Sequence, residues 1–203
     1  ADDNAALVEY WMDTYGMQGF RFHPQYYSNV DILKRTENDT MFRQIEQRSG
    51  IVQIHNRPEH AHQLDFVAAR FPGITWLIDH MMYPTPEMAP DWDEYRPVLA
   101  LARHGNVFMK ISDIHNRSID EFPFLDMHHV VKLAIDAFGI ERCIWGTGYP
   151  GYHRVEHGWL SLRDELRLVL EGFDWLTSNE QAKLLGQNAM DVWNWDELRF
   201  AKI

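Results

Sequence analysis

Several side chains able to bind a metal, move a proton or grip an anion stand at or just beyond short apolar runs. His55 follows Ile51-Val52-Gln53-Ile54, and Asp79 with His80 follows Ile74-Thr75-Trp76-Leu77-Ile78. Lys110 and Ser112 follow Val107-Phe108-Met109, and His23 closes Gly19-Phe20-Arg21-Phe22. A fifth run, Cys143-Ile144-Trp145, opens into Gly146-Thr147-Gly148-Tyr149-Pro150. Neutral imidazole suits zinc and can also donate to a developing oxyanion, so His55 is a candidate ligand or electrophile. The alternative for His55 and His80 alike is a strand-end histidine satisfied by its surroundings. Arg21 can clamp a substrate carboxylate through two parallel hydrogen bonds, or form a structural salt bridge. Lys110, Tyr149 and Tyr152 are further substrate contacts, unless they only pack.

The remaining histidines have plainer expectations. His23 precedes Pro24 and suggests a turn. His60 and His62 stand before a helix facing solvent, and His128 and His129 straddle another helix start. His153 and His157 are the only other donors near the fifth run.

The five runs alternate with segments of helical spacing. Ala6, Leu7, Tyr10 and Trp11 predict a helix over 5–15, and Met41 to Arg48 a short one ending at Gly50. Leu64, Val67, Ala68 and Phe71 mark an amphipathic helix stopped by Pro72-Gly73. A helix around Val98 and Leu101 is expected to end on a left-handed Gly105. Val130, Leu133, Ala134 and Ala137 form the next, closed by Gly139, and another spans about 160–170. Thr177 with Glu180 three residues on resembles a capping box. The segments 25–38, 84–90, 113–121 and 151–158 read as loops. Strands alternating with helices imply an α/β fold with a parallel sheet, and catalytic groups at strand ends suit a (β/α) barrel.

Composition bounds the rest. The 203 residues are 45% hydrophobic and 24% charged, enough for one sizeable core and so for a single domain over 1–203. A net charge of −11 with no basic run argues against nucleic acid as a partner. No apolar stretch approaches the ~20 residues of a membrane helix. The single Cys143 reads as a small buried hydrophobe, and a reducing, cytoplasmic location is the expectation. Five strands are fewer than the eight of a closed barrel, which typically takes roughly 250 residues. The sheet is therefore expected to have open edges, covered by missing strands, a homo-oligomer or a partner chain.

The ordered set of motifs resembles the C-terminal two-thirds of the amidohydrolase-related (amidohydrolase 2) barrel family. That family includes 2-pyrone-4,6-dicarboxylate lactonase and zinc-dependent aminocarboxymuconate-semialdehyde-type decarboxylases. Gly19-Phe20-Arg21 matches its fourth strand, Ile54-His55 its fifth, Ile78-Asp79-His80 its sixth and Lys110-Ile111-Ser112 its seventh. Arg142 with Trp145 to Pro150 matches the eighth, and Asn188-Ala189 the closing helix. The resemblance implies an incomplete (β/α)8 TIM-type barrel, strands four to eight, truncated at the N-terminus before the family's His-x-His strand. It further implies a hydrolase acting on a small carboxylated ring or lactone, with His55 and His80 facing the reacting centre. One divalent metal such as zinc, held in part by His55, or no cofactor at all, fits the two branches. The family's metal-binding or water-activating Asp falls on Gly148, which can do neither, so activity in this form is expected to be lost or severely impaired. The alternatives are a metal-dependent decarboxylase and a non-catalytic barrel remnant serving binding or subunit interaction.

Overall fold

Five short strands, β1 (Gly19–Phe22), β2 (Ile51–Ile54), β3 (Thr75–Ile78), β4 (Val107–Ile111) and β5 (Cys143–Trp145), lie side by side in chain order. All four pairings are parallel. The computed structural model describes residues 2–27, 31–149, 156–158 and 160–195. Each strand is followed by helix or turn that returns the chain to the opposite end of the sheet, the connection parallel pairing requires. The helices are α1 (Asp2–Glu9), α2 (Asp39–Gln47), α3 (Ala61–Arg70), α4 (Arg96–Leu99) and α5 (Leu125–Phe138). After β5 come α6 (Leu162–Arg167), α7 (Ser178–Ala182) and α8 (Asn188–Val192). No helix among the described residues is long and apolar enough to cross a membrane.

The sheet's two faces divide by the period of two. One row pairs Phe22, Ile54, Ile78, Met109 and Cys143 across all five strands. It packs with Leu64, Val67, Val130 and Ala134 of α3 and α5 in the main core. Cys143 is fully buried, and burial raises its thiol to about 12, so it behaves as a small hydrophobe. The other face carries Ile51, Leu77 and Ile144, packed by Phe108 and by Ala189, Val192 and Trp193 from the α8 region. In this second face Arg21, Gln53, Leu77 and Phe108 are in register, and Lys110 pairs with Ile144 one layer higher. Continuing the alternation by two residues puts His55 and Asp79 on this same face at the C-terminal ends of β2 and β3.

Local endings follow the side-chain chemistry. Gly139 closes α5 at φ +76°, and the Thr177–Glu180 capping box is formed in both directions. The cap expected at Gly105 is not: glycines with positive φ among the described residues are Gly16, Gly139 and Gly158. Instead Arg142 donates to the carbonyls of Ala102 at 3.0 Å and His104 at 2.8 Å, satisfying the acceptors a glycine cap would serve. The 5–15 helix is α1, prolonged by a wide turn over Tyr10–Thr14.

Candidate active site

Asp79 is fully buried at the end of β3, and four side chains converge on its carboxylate. Arg21 from β1 donates through Nε at 2.9 Å and through Nη2 to Oδ2, while the Lys110 ammonium from β4 meets Oδ1. His55 Nδ1 lies 3.2 Å and His80 Nε2 3.4 Å from Oδ2. Gly146 makes room for Lys110, since a Cβ there would come within 2.8 Å of the Lys110 Cδ. Burial alone would raise the Asp79 carboxyl; the His55 hydrogen bond and the Lys110 charge outweigh it and hold Asp79 well below the usual carboxylate range. Burial, reinforced by the Lys110 charge, lowers His80 to about 4, so its ring is neutral at pH 7. His80 Nδ1 is 2.9 Å from the Ser112 hydroxyl.

Each residue singled out from sequence has a definite place. His55 is buried, its ring stacked on His23 at 4.5 Å and set edge-on to His80 at 5.6 Å. Burial lowers His23, favouring its neutral ring. Arg21 and Lys110 are held on Asp79 rather than free in the opening. Tyr149 is exposed, its amide donating to the Thr147 hydroxyl, and is no part of the cluster. Tyr152 and His153 lie outside the described residues. His62 bonds Asp31 at 2.8 Å, and His128 lies 2.7 Å from the Pro123 carbonyl, away from the strand ends. Gly148 lines a cavity of about 340 Å3 above the cluster, together with His80, Tyr83, Asp113, Asn116 and Arg117.

Tyr83 and Arg117 escape the sequence patterns. The Tyr83 hydroxyl is 2.8 Å from His55 Nε2, and the Arg117 guanidinium sits 4.5 Å above the Tyr83 ring. Arg117 is steadied by Asp113, which accepts from its Nε and Nη2 at 3.2 and 3.1 Å. Neither residue follows an apolar run directly; both are brought in by the turns after β3 and β4.

His55, Asp79 and His80 offer one donor each, all within 4.8 Å of one another. As arranged they do not fit a divalent cation. The one carboxylate already takes a guanidinium and an ammonium, so a dication there would add two charges beside two resident cations at close range. The His55 Nδ1 donor is also turned onto Arg21 Nη2 at 2.9 Å.

The sequence profile of a family described as Amidohydrolase matches residues 1–195. Over 93 residues the chain is 29% identical to L-fucono-1,5-lactonase of Burkholderia ambifaria, covering 46% of this chain and 32% of that protein. Among solved structures, one named as a probable 2-pyrone-4,6-dicarboxylic acid hydrolase from Acinetobacter baumannii, with citric acid bound, superposes with a TM-score of 0.77 at 17% identity. That match covers 95% of this chain and 69% of the other. An amidohydrolase from Burkholderia multivorans with bound zinc gives a TM-score of 0.73 at 18% identity, over 87% of this chain and 64% of that one. At these identities the structures establish a shared fold, and the chain spans about a third of the lactonase and about two thirds of the solved enzymes.

Proposed function

From a chain that belongs to the amidohydrolase family, we propose a hydrolase site for a small carboxylated ring or lactone, seated in the cavity above β3 to β5. The observation that carries this is the His55, Asp79 and His80 group at the strand ends, beside a cavity that His80, Tyr83 and Arg117 line and that is large enough for such a ring. Strand C-termini are where barrel enzymes place their chemistry. Arg117 lines the cavity beside Asn116 and is the guanidinium available to a substrate carboxylate. Arg21 and Lys110 fix the Asp79 charge, which in turn holds His55 and His80 in place. The net charge of −11 does not forbid an anionic substrate, because the local field at Arg117 governs its approach.

A hydrolytic water must lose a proton as it attacks, and Gly148 on the cavity wall supplies no base. The chain in this form is therefore impaired in hydrolysis. Gly148→Asp should raise lactone hydrolysis on the order of 10²-fold, the usual worth of a positioned general base. Unchanged rates would remove position 148 from the mechanism. No step is assigned to a divalent ion, since the donor set does not fit one, and this also tells against a metal-dependent decarboxylase. The same glycine favours a second reading, a barrel that binds its ligand or a partner without turning it over. Stoichiometric binding of a carboxylated ring with no turnover in either form would decide for it.

A further inference from the structure

The helical segment after β5 presents an apolar stripe to solvent. Leu162, Leu166 and Leu170, four residues apart, are 42%, 36% and 47% exposed, while Glu165, Leu168 and Val169 turn inward. In an unbroken α-helix, residues eight apart diverge by about 80° around the axis. Here α6 passes into a wide turn over Leu168–Gly172, closed by the Phe173 amide donating to the Leu168 carbonyl at 2.9 Å. Such a turn takes more residues per revolution, so Leu170 falls back toward the line of Leu162. The stripe has an aromatic shoulder: the Arg167 guanidinium lies 5.2 Å from the centre of the Phe122 ring, which is itself exposed. Single exposed apolar residues are ordinary, but a continuous patch of them marks an interaction surface.

The charges beside the stripe indicate what covers it. Arg163, Arg167 and Glu171 each follow a stripe leucine by one residue and are exposed, forming one flank. Along the chain that flank runs positive, positive, negative. Two such stripes laid antiparallel about a twofold axis bring equivalent flanks together in reverse order. With Leu166 against its twin at the axis, Leu162 meets Leu170, and Arg163 of each copy faces Glu171 of the other. Side chains on a helix lean toward its N-terminus, and in this arrangement the lean brings that pair together. Arg163 forms no salt bridge among the described residues. Arg167 meets its twin near the axis, but its charge is balanced within the chain by Glu171 at 3.0 Å and Asp164 at 3.2 Å. A parallel pairing would put the two flanks on opposite sides and leave Arg163 unmatched. Closed twofold association needs a patch complementary to itself, and this one is.

We propose that α6 and the turn after it form an interface between two copies of this chain, antiparallel across a twofold axis at Leu166. The surface follows β5, at the opposite end of the strand order from the β1 edge, so the two modes of association are separable.

Sedimentation equilibrium of the 203-residue chain at fixed ionic strength should show a dimer, twice 24.0 kDa. Arg163→Glu and Glu171→Arg should each weaken it about tenfold, because each breaks two symmetric ion pairs and sets like charges opposite one another. The double variant should recover most of that loss. Leu166→Glu, which places two carboxylates at the axis, should leave a monomer with an unchanged circular dichroism spectrum. A double variant no tighter than the single ones overturns the antiparallel pairing, and does so without relying on Leu166. Association of the Leu166→Glu protein at unaltered strength, as pairing through the β1 edge would give, overturns the proposal as well. An unaltered chain that stays monomeric at every concentration overturns a second copy as the occupant and leaves the stripe to a foreign helix.

Discussion

A buried carboxylate shared by two cations and two imidazoles ties the stability of this protein to the protonation of single residues. His80 titrates at about 4 in the fold, against roughly 6.5 for a free imidazole. Because the folded value is the lower one, unfolding takes up a proton between these pH values. The stabilisation is thus complete above about pH 6.5 and is lost as the pH falls toward the folded value. Asp79, also held low, adds a loss of the same sign only below about pH 4. Urea midpoints measured from pH 7 to 4 should fall more steeply for the unaltered protein than for His80→Asn; parallel curves would remove His80 as the source. Of the groups involved, His55, His80 and Lys110 were legible in sequence, because each is a chemically capable side chain at the end of an apolar run, and Arg21 because it is a cation inside one. Which of them meet Asp79 was not, since register between strands is a tertiary fact. Tyr83 and Arg117 were illegible for a different reason: nothing in the run His80, Met81, Met82 and Tyr83 announces a left-handed turn.

At the level of elements, β1 depends on a residue with no side chain. A Cβ on Gly19 would lie 2.1 Å from the Ile51 carbonyl oxygen, which belongs to the backbone of β2 and has no flexible end to yield. Gly19→Ala must therefore push β1 away from β2, straining the pairs that run from Gly19–Ile51 to Phe22–Ile54 and tilting Arg21 off Asp79. A loss of about 1–3 kcal/mol in the denaturant-extrapolated unfolding free energy is expected, the usual cost of an overpacked contact. A change within about 0.5 kcal/mol, the range of an ordinary surface substitution, would show that the edge strand relaxes freely. The strands and the longer helices declared themselves through period: α3 buries Leu64, Val67 and Ala68, and α5 buries Val130, Ala134 and Phe138 along one stripe each. Gly105 misled because a glycine after a helical run is only one way to finish it. Arg142, 37 residues further along the chain, supplies the other, and local sequence cannot show that.

For the whole molecule the governing feature is a parallel sheet whose outer strands, β1 and β5, each have a single neighbour among the described residues. Such an edge presents unpaired backbone donors and acceptors, a template for another strand. Beside β1 lies a cavity of about 580 Å3 lined by Met17, Phe20, Phe22, Trp193 and Trp195 among others, so apolar surface is exposed together with the free backbone. The opposing term is charge. Each chain carries a net −11, and two such chains repel at a distance that shortens as salt is added, from a Debye length of about 30 Å at 0.01 M to about 8 Å at 0.15 M. Edge pairing and apolar burial act at contact and are little screened, so salt should tip the balance toward association. Sedimentation of the 203-residue chain should accordingly give masses above 24.0 kDa that rise with protein concentration and with salt. A 24.0 kDa monomer at every concentration and ionic strength would mean that the β1 edge and its apolar flank are already satisfied within the chain.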